Sequence, residues 1–410
     1  MIIKELTINE FDNFSKNHQL TSFRQTSKYA LFMAENGYDY DLLGLIDNTG
    51  NIIAAALILI KKISISLKYG YSPSGFLLDY FNYDILKIFT EKIKDFYAKK
   101  LVFIKINPPI FTGEINNNTK ETNYNKNLII RDYLKELGYN KLKDNLYFES
   151  IIPRFSAILD IKDYNIKNIT KNHRNKIVRA TNKGLVLLKK DRSGLEILYD
   201  FVKKKKPINE FYYKNYYNIF SKDFSCDLFL VKIDYKLYLS NSKKLYDKEL
   251  EINNKLSEEI IKNSQNSNIN KKMESDKKLL AYKNDIEIAS LGLREGKETY
   301  LAGAFIIKYL DTASIVASGI NMHYRKFNAN YFLHQELINY YKPNYKFLDL
   351  NGITGDFATQ NHYKGLNEFK LGFKPKLYES IGEFDLLINS KAYHKLLQNG
   401  TLAKIFNKKN

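Results

Sequence analysis

Cysteine occurs once in the 410 residues, at Cys226, so no intrachain disulfide can form and a zinc site built from several cysteines is excluded. Tryptophan is absent; with the abundance of Lys, Asn, Ile and Tyr this fits an AT-rich genome and carries no functional weight. Long apolar runs are missing too. The longest, Ile52 to Ile60, is far short of the roughly 20 residues that span a bilayer. The N-terminus, MIIKELTINEFDNF, has charges inside its apolar run and no small-residue cleavage site, unlike a secretory signal. A cytoplasmic protein is expected.

Familiar catalytic patterns are also scarce. The six histidines (His18, His173, His323, His334, His362 and His394) are scattered without HxxxH or HExxH spacing. No nucleophilic triad and no metal cluster is legible, so no metal and no cofactor is expected. The glycine-rich RxxGxG loop that an acetyl-CoA-dependent enzyme would use is absent, which argues against acyl-CoA as a donor. Among carboxylates no pair stands out, and Asp356 is a weak candidate base.

Positive charge is what the chain has in excess. A net charge of +19 and a pI near 9.4 favour anionic partners such as nucleic acid, a pyrophosphate or an acidic membrane surface. Solvated lysines of a Lys-rich proteome are the alternative. Hydrophobic residues make up 44% of a 410-residue chain, enough for a globular protein of two units.

Periodicity predicts mixed α/β structure over 1–150. A helix is expected from Thr7, and Ser22–Thr26 leads into a second that runs through Gly37, then a hairpin of Tyr40–Ile46 and Ile52–Tyr69 across the Asp47–Gly50 turn. The loop Tyr71–Gly75, the stretch Leu77–Tyr80, an amphipathic helix Tyr83–Lys99, strand Leu101–Ile106, a polar loop Gly113–Asn127 and helix Leu128–Leu137 follow. A second unit starts with strand Phe155–Leu159 and a basic helix Ile169–Asn182, which reads equally as a solvated face or a polyanion contact. It continues through 151–234 and 285–390, with strands Ile286–Arg294, Glu298–Lys308 and Ser314–Gly319 and helix Asn328–Tyr341. Between them, 235–284 is rich in Lys, Glu, Asn and Ser, with Leu245/Ile252 and Met273/Leu280 at seven-residue steps; it predicts an antiparallel two-helix arm or a disordered insert. Residues 391–410 form a C-terminal helix and tail.

The stretch Asn344–Lys376 organises the rest. Phe347, Leu348 and Leu350 mark a short buried strand closed by Asn351-Gly352. A polar loop leads into Gly365–Lys374, where Phe369, Leu371 and Phe373 alternate like a strand, with Lys370 on the opposite face. By spacing alone Lys370 reads as a surface lysine on an edge strand.

This order of strand, Asn-Gly-Ile-Thr-Gly, polar loop, Gly-Leu and Phe-Lys resembles the C-terminal signature of the Fem-type (FemABX) aminoacyltransferases. Phe23-Arg24-Gln25-Thr26 and Gly37-Tyr38 resemble that family's first motif, Tyr71–Gly75 its Tyr-Ser-Pro-Arg-Gly-Pro loop, and Ala317–Gly319 with Arg325 its strand-loop-helix. The resemblance implies two acetyltransferase-like (GNAT-like) domains of mixed α/β (α+β) structure, with a helical coiled-coil arm in the second. It implies transfer of an amino acid from aminoacyl-tRNA to the side-chain amine of a peptidoglycan stem peptide, forming the interpeptide bridge. The partners would be aminoacyl-tRNA and a lipid-linked or UDP-linked muropeptide, with peripheral contact at the inner membrane face. A non-catalytic basic RNA-binding protein, or a transferase acting on a protein N-terminus, are the alternatives.

In that family the Phe-Lys pair lies at the reaction centre, which makes Phe369 and Lys370 the expected catalytic residues, Lys370 as the oxyanion's cation. Proton transfer in the family is substrate-assisted. The family's two diphosphate cations have no counterpart here, since Met33 and Pro207 stand at those positions; Lys28, Lys205 and Lys206 are the expected substitutes, near Asn107 and Tyr212. Asn107 replaces an aspartate usual at that strand end, and Ser74 replaces the loop arginine.

Overall fold

In a computed structural model, residues 1–148, 151–204, 208–223, 225–263 and 265–407 are described. Helices and strands alternate through most of the chain, giving two mixed sheets in an α+β fold. The first has seven strands, in the order Ile2–Glu5, Asp39–Ile46, Ile52–Lys62, Lys68–Ser72, Phe103–Ile106, Phe384–Leu387 and Tyr139–Lys141. The second has nine: Leu185–Lys190, Cys226–Ile233, Tyr300–Tyr309, Thr312–Ile320, Phe347–Ile353, Phe155–Asp160, Lys376–Ser380, Phe111–Ile115 and Thr122–Tyr124. The boundary expected near residue 150 does not separate the sheets. Thr122–Tyr124 and the end of Phe111–Ile115 come from the expected polar loop yet pair in the second sheet, and Phe384–Leu387 returns to the first.

Each sheet contains one parallel pair, joined by a helix that packs back as a crossover. In the first, Lys68–Ser72 runs beside Phe103–Ile106 across helix Tyr83–Tyr97, whose Leu86, Phe89 and Ile93 are buried. In the second, Thr312–Ile320 runs beside Phe347–Ile353 across helix Ala329–Tyr341, which buries Phe332, Leu333, Leu337 and Ile338. This second pair is ladder-bonded only at Thr312/Phe347, Ala313/Leu348 and Ser314/Asp349, and forks beyond Asp349. The halves meet through aromatic rings, with Phe32 stacked on Tyr216 at 4.0 Å and Phe23 edge-on to Phe220 at 6.4 Å.

Two expectations of strand fail for one reason. Ile286–Arg294 is the end of a helix, Asn266–Arg294, and Lys364–Leu371 is a helix as well. Both segments alternate apolar and polar residues, yet both also carry a three- or four-residue spacing that the fold uses. Ala289 and Gly292 are the buried face of the first; a Cβ on Gly292 would come within 2.2 Å of the Tyr235 ring. In the second, Phe369 meets Phe373, four residues on and just past the helix end, at 5.5 Å. Leu77, just past the Tyr71–Gly75 loop, makes an isolated bridge to Ala55.

The expected arm consists of two long helices, Tyr235–Lys262 and Asn266–Arg294. Contacts of Tyr238 with Asp285, Glu249 with Lys278 and Asn253 with Asp276 make them antiparallel. Their seam differs from expectation. Ser242, Glu249, Asn253 and Ser275 are buried, whereas Ile252, Met273 and Leu280 are exposed.

Candidate active site

The fork beyond Asp349 creates an irregular stretch. Asn351 adopts φ 66°, the ladder to Phe155–Asp160 shifts register between Asp349 and Gly352, and the Asn351 side chain donates to the Ile315 carbonyl at 3.2 Å. A shifted ladder leaves backbone groups for other partners. The Gly352 carbonyl accepts from Lys370 Nζ at 2.5 Å. Lys370 is only 8% exposed, so the expected surface lysine is a buried one.

The helix bearing Lys370 is held at its start by an amide network. Asn367 donates to Thr354 Oγ1 at 2.8 Å and its carbonyl accepts the Thr354 N–H at 3.0 Å; Asn361 also donates to Thr354 Oγ1, at 2.8 Å. At its end, the Phe369 carbonyl accepts from His173 Nε2 at 2.8 Å, and His173 Nδ1 lies 2.8 Å from the Thr170 hydroxyl. A carbonyl can only accept, so Nε2 carries the proton and Nδ1 accepts from Thr170. Burial holds His173 below the ordinary histidine range, in its neutral form. The Phe369 ring is boxed by His334 at 4.8 Å, Tyr331 at 5.0 Å and Phe373 at 5.5 Å, edge to face.

Beside the fork lies a cavity of about 1180 Å³, walled on one side by Ser314 and Asp349 and on the other by Arg24, Ser74, Lys105 and Asn107. Gln25 explains how its wall is built from the first motif. It is fully buried, donating to the carbonyls of Pro73 and Gly75 at 2.6 Å each while its own carbonyl accepts the Leu57 N–H at 3.1 Å. The loop Tyr71–Gly75 is thereby fixed against the segment that carries Arg24. Gly75, at φ 71°, passes so close to Pro108 that a Cβ would lie 2.7 Å from its Cα.

Charge in the cavity is mostly paired. Lys105 meets Asp385 at 2.8 Å, and Arg154 bonds Glu379. Arg24 forms no ion pair among the described residues; its guanidinium lies 4.3 Å over the Phe23 ring. Asp349 accepts the Asn351 N–H at 2.7 Å. Burial pushes its carboxyl above the usual carboxylate range, against that N–H and the charges of Arg24 and Lys370, which pull it down.

The residues expected at the site divide accordingly. Asn107 lines the cavity, with its amide nitrogen on Tyr71 at 3.2 Å and its carbonyl on the Ser74 N–H at 2.9 Å. Tyr212 does not line it; its ring packs edge-on to Phe32 at 4.9 Å. Lys28 is outside the cavity, bonded to Asp223 and, at 3.3 Å, to Ser225. Lys205 and Lys206 lie outside the described residues. Arg24 and Asp349 went unassigned in the sequence, although Arg24 stands inside the first motif.

The FemAB family model matches residues 6–398. The chain is 25% identical over 415 residues to the aminoacyltransferase FemA of Staphylococcus aureus, covering 96% of this chain and 97% of that protein. To the aminoacyltransferase FemA of Staphylococcus epidermidis it is 25% identical over 412 residues, covering 96% and 98%. Among solved structures, the crystal structure of FemX superposes with a TM-score of 0.74 at 22% identity, over 97% of this chain and 100% of that one, which shows a shared fold.

Proposed function

Because this chain belongs to the FemAB family it is an aminoacyltransferase, and we propose that it moves an amino acid from the ester of aminoacyl-tRNA to the side-chain amine of a peptidoglycan precursor's stem peptide. The observation that carries this reading is the fork of the second parallel pair, where the half-buried Asp349 lines a large cavity and the buried Lys370 bonds the Gly352 carbonyl at the end of the same strand.

An aminoacyl ester is already activated, so the enzyme's work is to align the amine with the carbonyl and to stabilise the oxyanion formed on attack. Lys370 supplies the charge for the oxyanion, held in place by Gly352 until the substrate oxygen arrives. Phe369 closes the site to water, which strengthens that charge. Arg24, unpaired among the described residues, offers the cavity a cation for an anionic group of the precursor. Lys205 and Lys206 remain the proposed contacts for the precursor's diphosphate. The long helix pair Tyr235–Lys262 and Asn266–Arg294 forms the arm proposed for the second GNAT-like domain. Among the described residues no helix is long and apolar enough to cross a membrane, so the contact proposed with the membrane face is peripheral.

The test is mass spectrometry of a UDP-linked muropeptide incubated with the protein and a charged tRNA pool. A gain of one aminoacyl residue, absent when free amino acids replace the charged tRNA, supports the reading. No gain with any charged tRNA, on either UDP-linked or lipid-linked precursor, overturns it.

A further inference from the structure

The longest strand of the first sheet overruns its neighbours. Ile52–Lys62 pairs with Asp39–Ile46 only as far as Ile60, and Lys68–Ser72 meets Phe103–Ile106 only from Gly70 on. The hairpin between them therefore projects past the sheet as Lys61–Lys68. The Ile63 N–H closes its turn on the Leu67 carbonyl at 2.7 Å, and both side chains are half-buried against the core below. Ser64, Ile65 and Ser66 are left outside, with Ile65 fully exposed. A solvated isoleucine gains nothing from folding; it gains when something apolar covers it.

The surroundings of the tip say what that cover is. Lys61 and Lys62, successive on a strand, point to opposite faces of the hairpin, and Lys68 stands opposite Lys62. The Lys68 carbonyl accepts the Val102 N–H at 2.9 Å, and the Val102 carbonyl accepts the Asn389 N–H at 2.8 Å. These bonds bring the exposed Lys99, Lys100 and Lys391 to the same rim. Against these lysines the rim segments 38–39, 61–68, 99–102 and 388–391 hold one carboxylate, Asp39, 3.6 Å from Lys68. An apolar tip in a collar of cations fits an anionic bilayer, where the tip enters the acyl boundary and the lysines meet headgroup phosphates. RNA is matched less well, since the collar has no arginine and the tip has no ring to stack on a base.

We propose that the hairpin Lys61–Lys68 and the lysine rim around it dock the protein on an anionic phospholipid surface, with Ile65 inserted between headgroups, and so present the cavity to a lipid-linked precursor. The use made of this contact rests on the transferase reading above; the contact itself does not. The course of the cavity agrees with it. Phe406, in the cavity wall, packs edge-on to Tyr69 at 5.4 Å, and Tyr69 is the ladder partner of Lys61. The cavity thus reaches from this rim to the fork at Ser314 and Asp349, and a stem peptide borne on a membrane-held carrier can lie along it.

The experiment is co-sedimentation of wild type, Ile65→Asp and the double variant Lys61→Gln/Lys62→Gln with vesicles. One set of vesicles is phosphatidylglycerol and phosphatidylcholine in equal parts, the other phosphatidylcholine alone. Each substituted side chain is exposed, so melting temperatures should not change. Wild type should pellet with the anionic vesicles, far less with phosphatidylcholine alone, and less as salt is raised. Each variant should lose about tenfold or more of that binding, a lysine near such a surface being worth about fivefold. Transfer to lipid-linked precursor in the same vesicles should fall with it, and recover when that precursor is dissolved in a nonionic detergent. Wild type that stays in solution beside anionic vesicles, or variants that pellet as it does, would overturn the proposal. A double variant that keeps vesicle binding but loses tRNA affinity would do the same and make the rim an RNA contact. Undiminished transfer in vesicles by a variant that no longer pellets would break the link to the lipid-linked precursor. Wild type that pellets as expected yet transfers nothing in either medium would instead sink the transferase reading and leave the docking surface standing.

Discussion

His173 and Phe369 are joined twice: the Nε2–H of His173 donates to the Phe369 carbonyl at 2.8 Å, and their rings stack at 6.2 Å. The contact ties the basic helix Lys171–Asn182 to the helix that presents Lys370. A residue on one helix therefore sets the position of the proposed catalytic pair on another. His173→Ala leaves a buried carbonyl without its donor, which costs about 1–3 kcal/mol. The expected outcome is a lower melting temperature and reduced turnover, with partial recovery in His173→Gln, whose amide can donate to the same carbonyl. Equal activity of His173→Ala and wild type would remove this contact from the account.

Gly372 makes room for that histidine. A Cβ there would lie 1.9 Å from His173 Cε1, so Gly372→Ala must push the ring off the Phe369 carbonyl. Destabilisation of about 1–3 kcal/mol is expected, as for other overpacked sites. Adding His173→Ala should cost much less than it does alone, because the ring is already displaced. Additive melting shifts in the double variant would contradict the geometry.

The histidine also predicts a pH dependence. Burial lowers the folded-state pKa of His173, and that of His18, below the ordinary value. The unfolded chain then binds more protons below about pH 6.5, so stability present above that pH is lost as the medium is acidified. Melting temperature should fall between about pH 7 and about pH 5. His173→Gln should flatten the fall while leaving the share that belongs to His18. A melting temperature that rose on acidification would reverse the sign and defeat the argument.

The helix pair is expected to be separable from the core beyond its base. Tyr238 bonds Asp285 at 2.5 Å and Lys183 meets Asp285 at 2.8 Å, so the base must stay. Beyond it the buried seam is polar, with Asn253 on Ser275 at 3.1 Å. Replacing 245–280 with a short flexible linker should leave a protein with a near-native circular dichroism spectrum per remaining helix and a cooperative melt. Aggregation or loss of cooperativity would make the pair part of the core.

Much of this was legible in the sequence where pattern is local. The amphipathic helix expected at Tyr83–Lys99 forms as Tyr83–Tyr97, and the helix expected at Asn328–Tyr341 forms as Ala329–Tyr341. Alternation misled at Phe369, Leu371 and Phe373 because a period of two also contains the four-residue step of a helix, and packing against His334 and Tyr331 chose the helix. The exchange of strands between sheets was not legible, since pairing of Phe384–Leu387 with Phe103–Ile106 is set by contacts far apart in the chain. Asp349 was invisible for a related reason: within Phe347–Ile353 it is an ordinary strand aspartate, and only the fork beside Thr312–Ile320 makes it a cavity group.

Lys370 gives the most direct measurement of the central claim. Charged tRNA carrying a labelled amino acid is mixed with excess enzyme and muropeptide, and label is followed from the ester to an amide on the precursor in a single turnover. The account predicts stoichiometric movement of label with wild-type protein, and a rate lower by about 10²-fold or more with Lys370→Ala, whose melt remains cooperative. Transfer at the wild-type rate by a folded Lys370→Ala protein would contradict it.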